Sequence, residues 1–499
     1  MSKPALLTLT GVSKRYGKIQ ANRNIDLSVK LGSIHAVLGE NGAGKSTLMK
    51  LIYGIEQPDE GTIAWEGKPI SLSRPSEAQA LGIGMVFQHF SLFETLSVVQ
   101  NVSLMVPGRL NELADRITEL GEQFGLSVDP HAMVHTMSVG ERQRVEIIRC
   151  LLLNPKVLIL DEPTSVLPPQ SVRMLFDTLR RLQAEGMAVL FISHKLEEIR
   201  ELCDEATILR HGEVTGRVDP REHDAHSLAK MMIGRDMPHL SPGTHATPGE
   251  VRLVLNDLSH PRATRFGTSL EKINLSLRSG EIIGIAGISG NGQQELAALV
   301  SGETRAGDAA MIEIMGRPVG HLGPLQRRKL GFAFVPEERL GRGSVPEMTL
   351  SDNSLLTAHS RGMLRGGFIR RQMERAFTRD CIKAFDVRTP GIDAEAGALS
   401  GGNLQKFILG REIMLAPGVM LVAQPTWGVD VGAATAIRLK LLEMRDQGAA
   451  ILVISEELEE LFEICDTLHV LRAGHLSPPL PAAETSARDV GAYMIGAAA

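Results

Sequence analysis

The residues Gly39–Thr47 (GENGAGKST) follow the apolar run Ile34–Leu38 and contain Gly39-x-x-x-x-Gly44-Lys45-Ser46. Gly39, Gly42 and Gly44 let backbone N–H groups converge on phosphate oxygens without obstruction from side chains. Glu40, Asn41 and Ala43 complete the loop, and a helix expected from about Lys45 through Thr47 turns its positive end toward the same anion. Lys45 can reach the β- and γ-phosphates of a nucleotide, and Ser46 can ligate Mg²⁺. Asp161 ends the apolar run Val157–Leu160. A carboxylate at a strand's C-terminal edge, facing such a loop, suits Mg²⁺ through a water shell. Glu162, the next residue, is the expected general base for an attacking water. His194 closes the run Ala188–Ser193, where an imidazole could meet the γ-phosphate and that water; a packing role is the other reading of a lone histidine. Gln88 ends a further expected strand and can complete the metal shell. Mg²⁺-assisted attack of water on the γ-phosphate of a nucleotide is the chemistry these residue types suit.

The elements around these residues alternate. Strand-length apolar runs such as Val157–Leu160 and Ala188–Ile192 are separated by a helix-length amphipathic segment from Gln170 to Glu185. That order predicts a mainly parallel sheet flanked by helices. The pattern also occurs twice. GISGNGQQE (Gly287–Glu295) follows Ile282–Ala286 as GENGAGKST follows Ile34–Leu38. GIGMVFQ matches GFAFVPE, MSVGERQR (Met137–Arg144) matches LSGGNLQK (Leu399–Lys406), and LILDEPTS (Leu158–Ser165) matches MLVAQPTW (Met420–Trp427). Gly39 and Gly287 are 248 positions apart (287 − 39), Gln88 and Glu337 are 249 apart (337 − 88). Ser138 and Ser400, Asp161 and Ala423, His194 and Glu456, and Met232 and Met494 are each 262 apart (400 − 138). One offset across four motifs identifies two homologous domains, expected at 5–238 and 250–499, with a Pro-, Gly- and Thr-containing joint at 239–249.

Composition narrows the class. The 499 residues carry 53 basic and 58 acidic side chains, a net charge of −5, so no basic surplus is available to neutralise nucleic acid. Aromatics make up 4%, too few for a base-stacking platform. Glycine, at 50 of 499, exceeds the usual share of about 7% and directs attention to the loops. No apolar stretch approaches the ~18 residues that span a bilayer, and MSKPALLTLT lacks the core of a secretory signal. The four cysteines (Cys150, Cys203, Cys381, Cys465) lie far apart, so a reducing cytoplasm is expected. Asp219–His226 (DPREHDAH) is expected as a solvated loop.

A P-loop, a Gln after a strand, a Ser-Gly signature before a helix, then Asp-Glu and His, in that order, resembles ABC-type ATPase domains, twice over and across nearly the whole chain. The resemblance implies an α/β fold with two P-loop domains in tandem, each adding an antiparallel β part and a helical subdomain to its parallel sheet. It implies active sites shared between domains, one supplying the P-loop and carboxylates and the other closing its signature over the γ-phosphate. Tyr16, in KRYG, is similar to the aromatic that stacks on adenine.

The two copies differ in chemistry. Gln293 and Gln294 replace Lys45 and Ser46; Ala423 and Gln424 replace Asp161 and Glu162; Glu456 replaces His194 and Glu337 replaces Gln88. A carboxylate about 4 Å from one phosphate charge costs about 4 kcal/mol at an effective dielectric of 20, so tight Mg-ATP binding by the second set is not expected. The signatures show the complementary pattern. Copy two keeps Ser400, Gly401, Gly402 and Asn403, whereas copy one has Val139 and Glu141; the family's interface Asp survives at Asp430 and is Pro168 in copy one. Every intact element therefore falls in one composite site. Such a fusion resembles the ATP-binding subunit of bacterial simple-sugar and nucleoside importers. AQPTWGVDVGA (Ala423–Ala433), VPEER (Val335–Arg339) and ISEELEE (Ile454–Glu460) resemble most the nucleoside-type branch, which commonly has Arg where Trp427 stands. The resemblance implies two transmembrane permease subunits, an extracytoplasmic solute-binding protein, no nucleic acid, and a peripheral position on the cytoplasmic face of the inner membrane. The segment His89–His135 would meet the permeases, with Phe90, Leu92, Phe93, Leu96, Val98 and Val99 expected mostly as core. A soluble tandem ABC protein acting on ribosomes or DNA is the alternative.

Overall fold

The computed structural model describes residues 5–17, 19–40, 42–87, 90–164, 167, 169–193, 195–234, 248–262, 267–359 and 361–496. The chain divides into two compact units, Met1–Met237 and Pro238–Ala499. Most of the joint expected at 239–249 lies outside the described residues. Among the described residues no helix is long and apolar enough to cross a membrane.

The first unit begins with β1 (Ala5–Tyr16), β2 (Ile19–Lys30) and β3 (Ile34–Gly39), then α1 (Lys45–Ile52), β4 (Glu60–Trp65), β5 (Lys68–Ile70), α2 (Pro75–Leu81) and β6 (Ile83–Val86). A helical part follows: α3 (Val98–Ser103), α4 (Leu110–Phe124) and α5 (Val139–Leu151). The chain then returns through β7 (Val157–Asp161), α6 (Pro169–Ala184), β8 (Ala188–Ile192), α7 (Leu196–Leu202), β9 (Glu205–Arg210), β10 (Glu213–Val218) and α8 (Ala225–Ile233). Two sheets result. An antiparallel one has the order β2-β1-β4-β5; the other, β10-β9-β3-β8-β7-β6, is parallel except for the edge strand β10. β3 and β8 are buried along their whole length, as strands covered on both faces must be. Leu7 and Leu9 of β1, Ile25 and Leu27 of β2, and Leu48 and Ile52 of α1 share one core with Ile159 and Leu190 of the parallel sheet.

The second unit repeats the plan with β11 (Val251–His260), β12 (Leu270–Arg278), β13 (Ile282–Ala286), α9 (Gln293–Ser301), β14 (Ile312–Ile314), β15 (Arg317–Pro318), α10 (Pro324–Lys329) and β16 (Phe332–Val335). Its helical part is α11 (Leu350–Ala358), a hairpin of β17 (Leu364–Arg365) and β18 (Phe368–Ile369), α12 (Arg371–Ala384) and α13 (Gly401–Ile413). β19 (Val419–Ala423), α14 (Val431–Asp446), β20 (Ala450–Ser455), α15 (Leu458–Ile464) and β21 (Thr467–Arg472) follow, with short strands β22 (His475–Leu476) and β23 (Leu480–Pro481) on β21, then α16 (Ala487–Ile495). Along β20, Ile451 and Val453 enter one core and Leu452 and Ile454 the other, the period-two alternation of a strand covered on both sides.

The helical parts start on matching clamps. Buried Asn101 accepts from the Phe93 N–H and donates to the carbonyls of Phe93 and Ser97; buried Asn353 does the same with Val345 and Thr349. Of the apolar residues expected mostly as core, Val98 and Val99 are buried, while Phe93, whose backbone the Asn101 clamp holds, is 60% exposed. One expectation is corrected here. Asp219–His226 is a short 3-10 turn and a helix start, since Asp224 caps α8 by accepting from the Ser227 N–H.

Replacing Asn353 by Ala strands several backbone groups in a buried position. We expect a loss of about 3 kcal/mol, seen as a lower unfolding temperature by calorimetry; a change under about 0.5 kcal/mol would show that the clamp is dispensable.

Candidate functional site

Parallel pairing fixes where the chemistry sits. Val37, Ile192 and Asp161 lie side by side across β3, β8 and β7. With strands about 4.8 Å apart, Asp161 stands about 10 Å across the sheet from the level at which the loop Gly39–Gly44 leaves β3. Both lie at the C-terminal edge of the sheet, where open α/β folds bind ligands. The second unit has the same register, with Ile285, Ile454 and Ala423 side by side.

The loop of the first unit is shaped for an anion. Gly44 caps α1 in the left-handed region, φ 101°, and a Cβ there would collide with the Ala21 carbonyl and the Asn22 amide. Gly42, in contrast, has no protein atom crowding it. It is exposed, and a Cβ there would meet no protein atom within 4 Å. Its φ of 82° is what calls for glycine at that position, because the left-handed region strains any residue with a Cβ. Asn22, fully buried, donates to the Gly44 carbonyl and so holds the start of α1. The Lys45 ammonium, 6% exposed, donates to the carbonyls of Gly39 (2.7 Å) and Glu40 (3.1 Å), drawn back over the loop it must serve. Ser46 is exposed in the first turn. Tyr16, at the end of β1, is 41% exposed, with the Lys14 ammonium 5.6 Å from its ring centre. Partial burial and the nearby Glu56 carboxylate raise its hydroxyl pKa, and a bond with Thr47 of α1 opposes the rise. A half-exposed tyrosine thus stands beside the phosphate loop.

Glu162 has φ 48°, and its N–H donates to the Ile192 carbonyl at 2.9 Å. Such backbone costs on the order of 1–3 kcal/mol for a non-glycine residue and collects at functional sites. Gln424 copies it, with φ 50° and a 2.7 Å bond to the Ile454 carbonyl. Beyond Glu162 a network braces the edge. Thr164 and Ser193 donate to the Glu198 carboxylate, at 2.6 and 3.3 Å, while the Lys195 ammonium donates to the Thr164 carbonyl and lies 3.6 Å from Glu198. Asn41, Gln88 and His194 lie outside the described residues.

The corresponding loop of the second unit is filled by its own side chains. Gln293 accepts the Asn291 N–H at 3.1 Å and donates to the Ile288 carbonyl at 2.9 Å, so a neutral amide takes the place of the Lys45 ammonium and uses up a loop N–H. Around it is a narrow cleft lined by Ser289, Gln294, Glu337, Arg342 and Glu456. Burial, together with the neighbouring Glu337 carboxylate, lifts Glu456 to about 7. Glu457 stands where Lys195 stood, and the completely buried Glu460 of the bracing network also rises to about 7, chiefly through burial.

The two signature helices differ in the opposite sense. Ser138 begins α5 inside a capping box: it donates to the Glu141 carboxylate at 2.7 Å, which also accepts the Ser138 N–H. The bonds from Ser138 hold that carboxyl below the usual range, so an anion already occupies this helix start. Ser400 begins α13 with no such cap. It is exposed, its hydroxyl accepts from Asn403 at 2.9 Å, and Gly401 is also exposed. Asp430 caps α14 beside it: a Cβ on Gly402 would stand 3.7 Å from its carboxylate.

A family model described as ABC transporter matches residues 22–165 and 270–427. The chain belongs to the ABC transporter family. The ATPase is 37% identical over 503 residues to the nucleoside import ATP-binding protein NupA of Lactococcus lactis subsp. cremoris, with 99% of each chain covered. It is 38% identical over 504 residues to the ribose import ATP-binding protein RbsA 1 of Rubrobacter xylanophilus, again with 99% of each covered. Among solved structures, an archaeal ribosome recycling factor, aABCE1, in complex with the stalk protein aP1, matches with a TM-score of 0.65 at 19% identity, over 94% of this chain and 90% of that one. At that identity the likeness shows the fold alone.

Sequence reasoning missed three features of this ATPase. The Ser-x-x-Glu spacing at 138–141 signals a capping box and could have revealed the occupied helix start. The amide filling at Gln293 and the Thr164–Glu198–Lys195 network depend on side-chain placement and leave no such signal.

Folded Glu456 and Glu460 keep protons that an unfolded chain, with carboxyls near 4.5, has released by pH 7. Stability of the second unit therefore falls as pH rises from about 4.5 to about 7. Glu456→Gln should flatten part of that slope and add about 1–3 kcal/mol at pH 8, read from thermal unfolding across pH; a profile identical to the unaltered chain would contradict it.

Proposed function

We propose that this ATPase powers import of a nucleoside or simple sugar through two separate transmembrane permeases, fed by an extracytoplasmic solute-binding protein. It would work as a peripheral protein on the cytoplasmic face of the inner membrane. The observation that carries this is end-to-end identity of 37–38% to import ATP-binding proteins, both units included. A cleft in the second unit, lined by Phe332, Phe334, Arg342, Leu356 and Arg411, is a candidate seat for a permease segment. In the first unit the exposed Phe93 and Leu104 offer an apolar surface for the other.

ATP is taken by the first unit, with Tyr16 on adenine and Gly39–Thr47 around the phosphates. The hydroxyl of Ser46 and the carboxylate of Asp161 offer oxygen donors near one sheet edge, which suits Mg²⁺, and Gln88 would join them as the motif order implies. That ion would neutralise charge on the phosphates. Glu162 takes a proton from water as the water oxygen bonds to the γ-phosphorus; the bond from that phosphorus to the β-γ bridging oxygen breaks, and ADP leaves. His194 would orient the water. Ser400, Gly401, Gly402 and Asn403 of the second unit, with Asp430, would complete the site as the family resemblance implies, and Asn403 stands where the first unit's signature has Glu141. Each chain then has one hydrolytic site.

Glu162→Gln should lower ATP turnover at least 100-fold, by the usual worth of a general base, while nucleotide binding persists. Turnover within threefold of the unaltered chain would remove Glu162 from its role. Asn403→Glu recreates the Ser138–Glu141 arrangement at Ser400. It should depress turnover by more than tenfold and leave ATP affinity of the first unit unchanged, whereas Glu141→Asn should leave turnover intact. For the transport role, the native chain should co-purify from membranes with two multi-spanning proteins; recovery with ribosomes would overturn it.

A further inference from the structure

The second unit has a projection that the first lacks. From its clamp at Asn353 to Ser400 is 47 positions (400 − 353), against 37 from Asn101 to Ser138 (138 − 101). Part of the extra length forms the hairpin β17–β18, with Leu364 opposite Ile369 and Arg365 opposite Phe368. Gly366 and Gly367 both have positive φ, 56° and 84°, as a tight two-residue turn requires. Its base is anchored: Met363 is buried, and the Arg370 N–H donates to the Met363 carbonyl at 2.7 Å. Its tip is not. Phe368 is 80% exposed, Leu364 44% and Ile369 39%.

The charge around this tip has one sign. Residues 361–371 contain Arg361, Arg365, Arg370 and Arg371 and no acidic residue. Arg371 is engaged by Asp352 and Glu374. Arg361 donates to the Leu415 carbonyl and Arg370 to the Gly362 carbonyl, neutral acceptors that leave both charges uncompensated. Among the described residues no carboxylate pairs with Arg361, Arg365 or Arg370. Phe368 thus shares one face of the hairpin with Arg365, Leu364 and Ile369 lie on the other, and Arg361 and Arg370 flank its two ends.

We propose that this hairpin is a foot for an anionic lipid bilayer. Phe368, with Leu364 and Ile369, enters the boundary between headgroups and acyl chains, where aromatic rings are favoured. Arg361, Arg365 and Arg370 lay their stems along that boundary and place their guanidinium groups on lipid phosphates. A convex apolar tip within basic residues suits a deformable anionic surface. The inference is independent of the nucleotide chemistry, because hairpin and phosphate loop are separate elements.

The test uses the full-length chain, sedimented with vesicles of phosphatidylcholine alone or mixed with phosphatidylglycerol. Binding should require phosphatidylglycerol and weaken in 1 M salt, where charges are screened within about 3 Å. Arg365→Ala with Arg370→Ala should reduce binding about 25-fold, at about fivefold for each charge removed. Phe368→Trp should show a blue shift of its emission on anionic vesicles and none on neutral ones. Turnover of ATP in solution and the unfolding temperature should match the unaltered chain, which separates this outcome from misfolding. A chain that ignores anionic vesicles, variants that bind as well as the unaltered chain, or variants that keep vesicle binding but lose co-purifying permeases would each overturn the proposal, the last by assigning the hairpin to a protein partner.

Discussion

A triphosphate needs open N–H groups and a mobile cation close to it, and a carboxylate that already fills a helix start competes with it there. Both phosphate-type loops of this chain are shaped by that constraint, in opposite senses. In the first, Lys45 rests on two carbonyls of its own loop, bonds that an arriving phosphate can replace with stronger charge-assisted ones. In the second, Gln293 has already used the Asn291 N–H and the Ile288 carbonyl, and Glu337 and Glu456 bring acidic groups to the same cleft. The signature helices obey the same rule: the start of α5 is occupied by Glu141, and that of α13 is left open beside Ser400.

The backbone has been kept where the chemistry has not. Glu162 and Gln424 share the same left-handed conformation and the same bond to the neighbouring strand. Gln143 and Gln405 each donate to the carbonyl of the proline that follows this kink, Pro163 and Pro425. Asn101 and Asn353 make the same clamp. A scaffold retained while Lys45, Ser46, Asp161 and Glu162 lost their counterparts points to a second unit whose form matters more than its own catalysis.

Much of this was legible in the sequence because it lies in patterns. The buried parallel strands read as continuous apolar runs, and the repeat as a constant offset, so fold class and the edge bearing the P-loop, Asp161 and Glu162 followed. The rest depended on where side chains go. Which residues of the segment from Phe90 to Val99 are core was open by hydrophobicity; Val98 and Val99 are buried and Phe93 is exposed. Asp219–His226 looked like a solvated loop by polarity, but Asp224 is a helix cap. Gly42 and Gly44 looked alike in the motif, yet only Gly44 is hemmed in by neighbouring atoms, and Gly42 answers to backbone conformation alone. The hairpin at Leu364–Ile369 has strands of two residues, too short for any periodicity to register. The filling of the second loop by Gln293 is a matter of geometry, and substitution of Lys by Gln alone signals only the loss of charge.

The most direct measurement is nucleotide stoichiometry. Equilibrium binding of Mg-ATP to the full chain carrying Glu162→Gln, by calorimetry or filter retention, should give one tight site per chain, and adding Lys45→Ala should abolish it. Two tight sites per chain, or one that survives the loss of Lys45, would contradict the assignment of the triphosphate to the first loop alone.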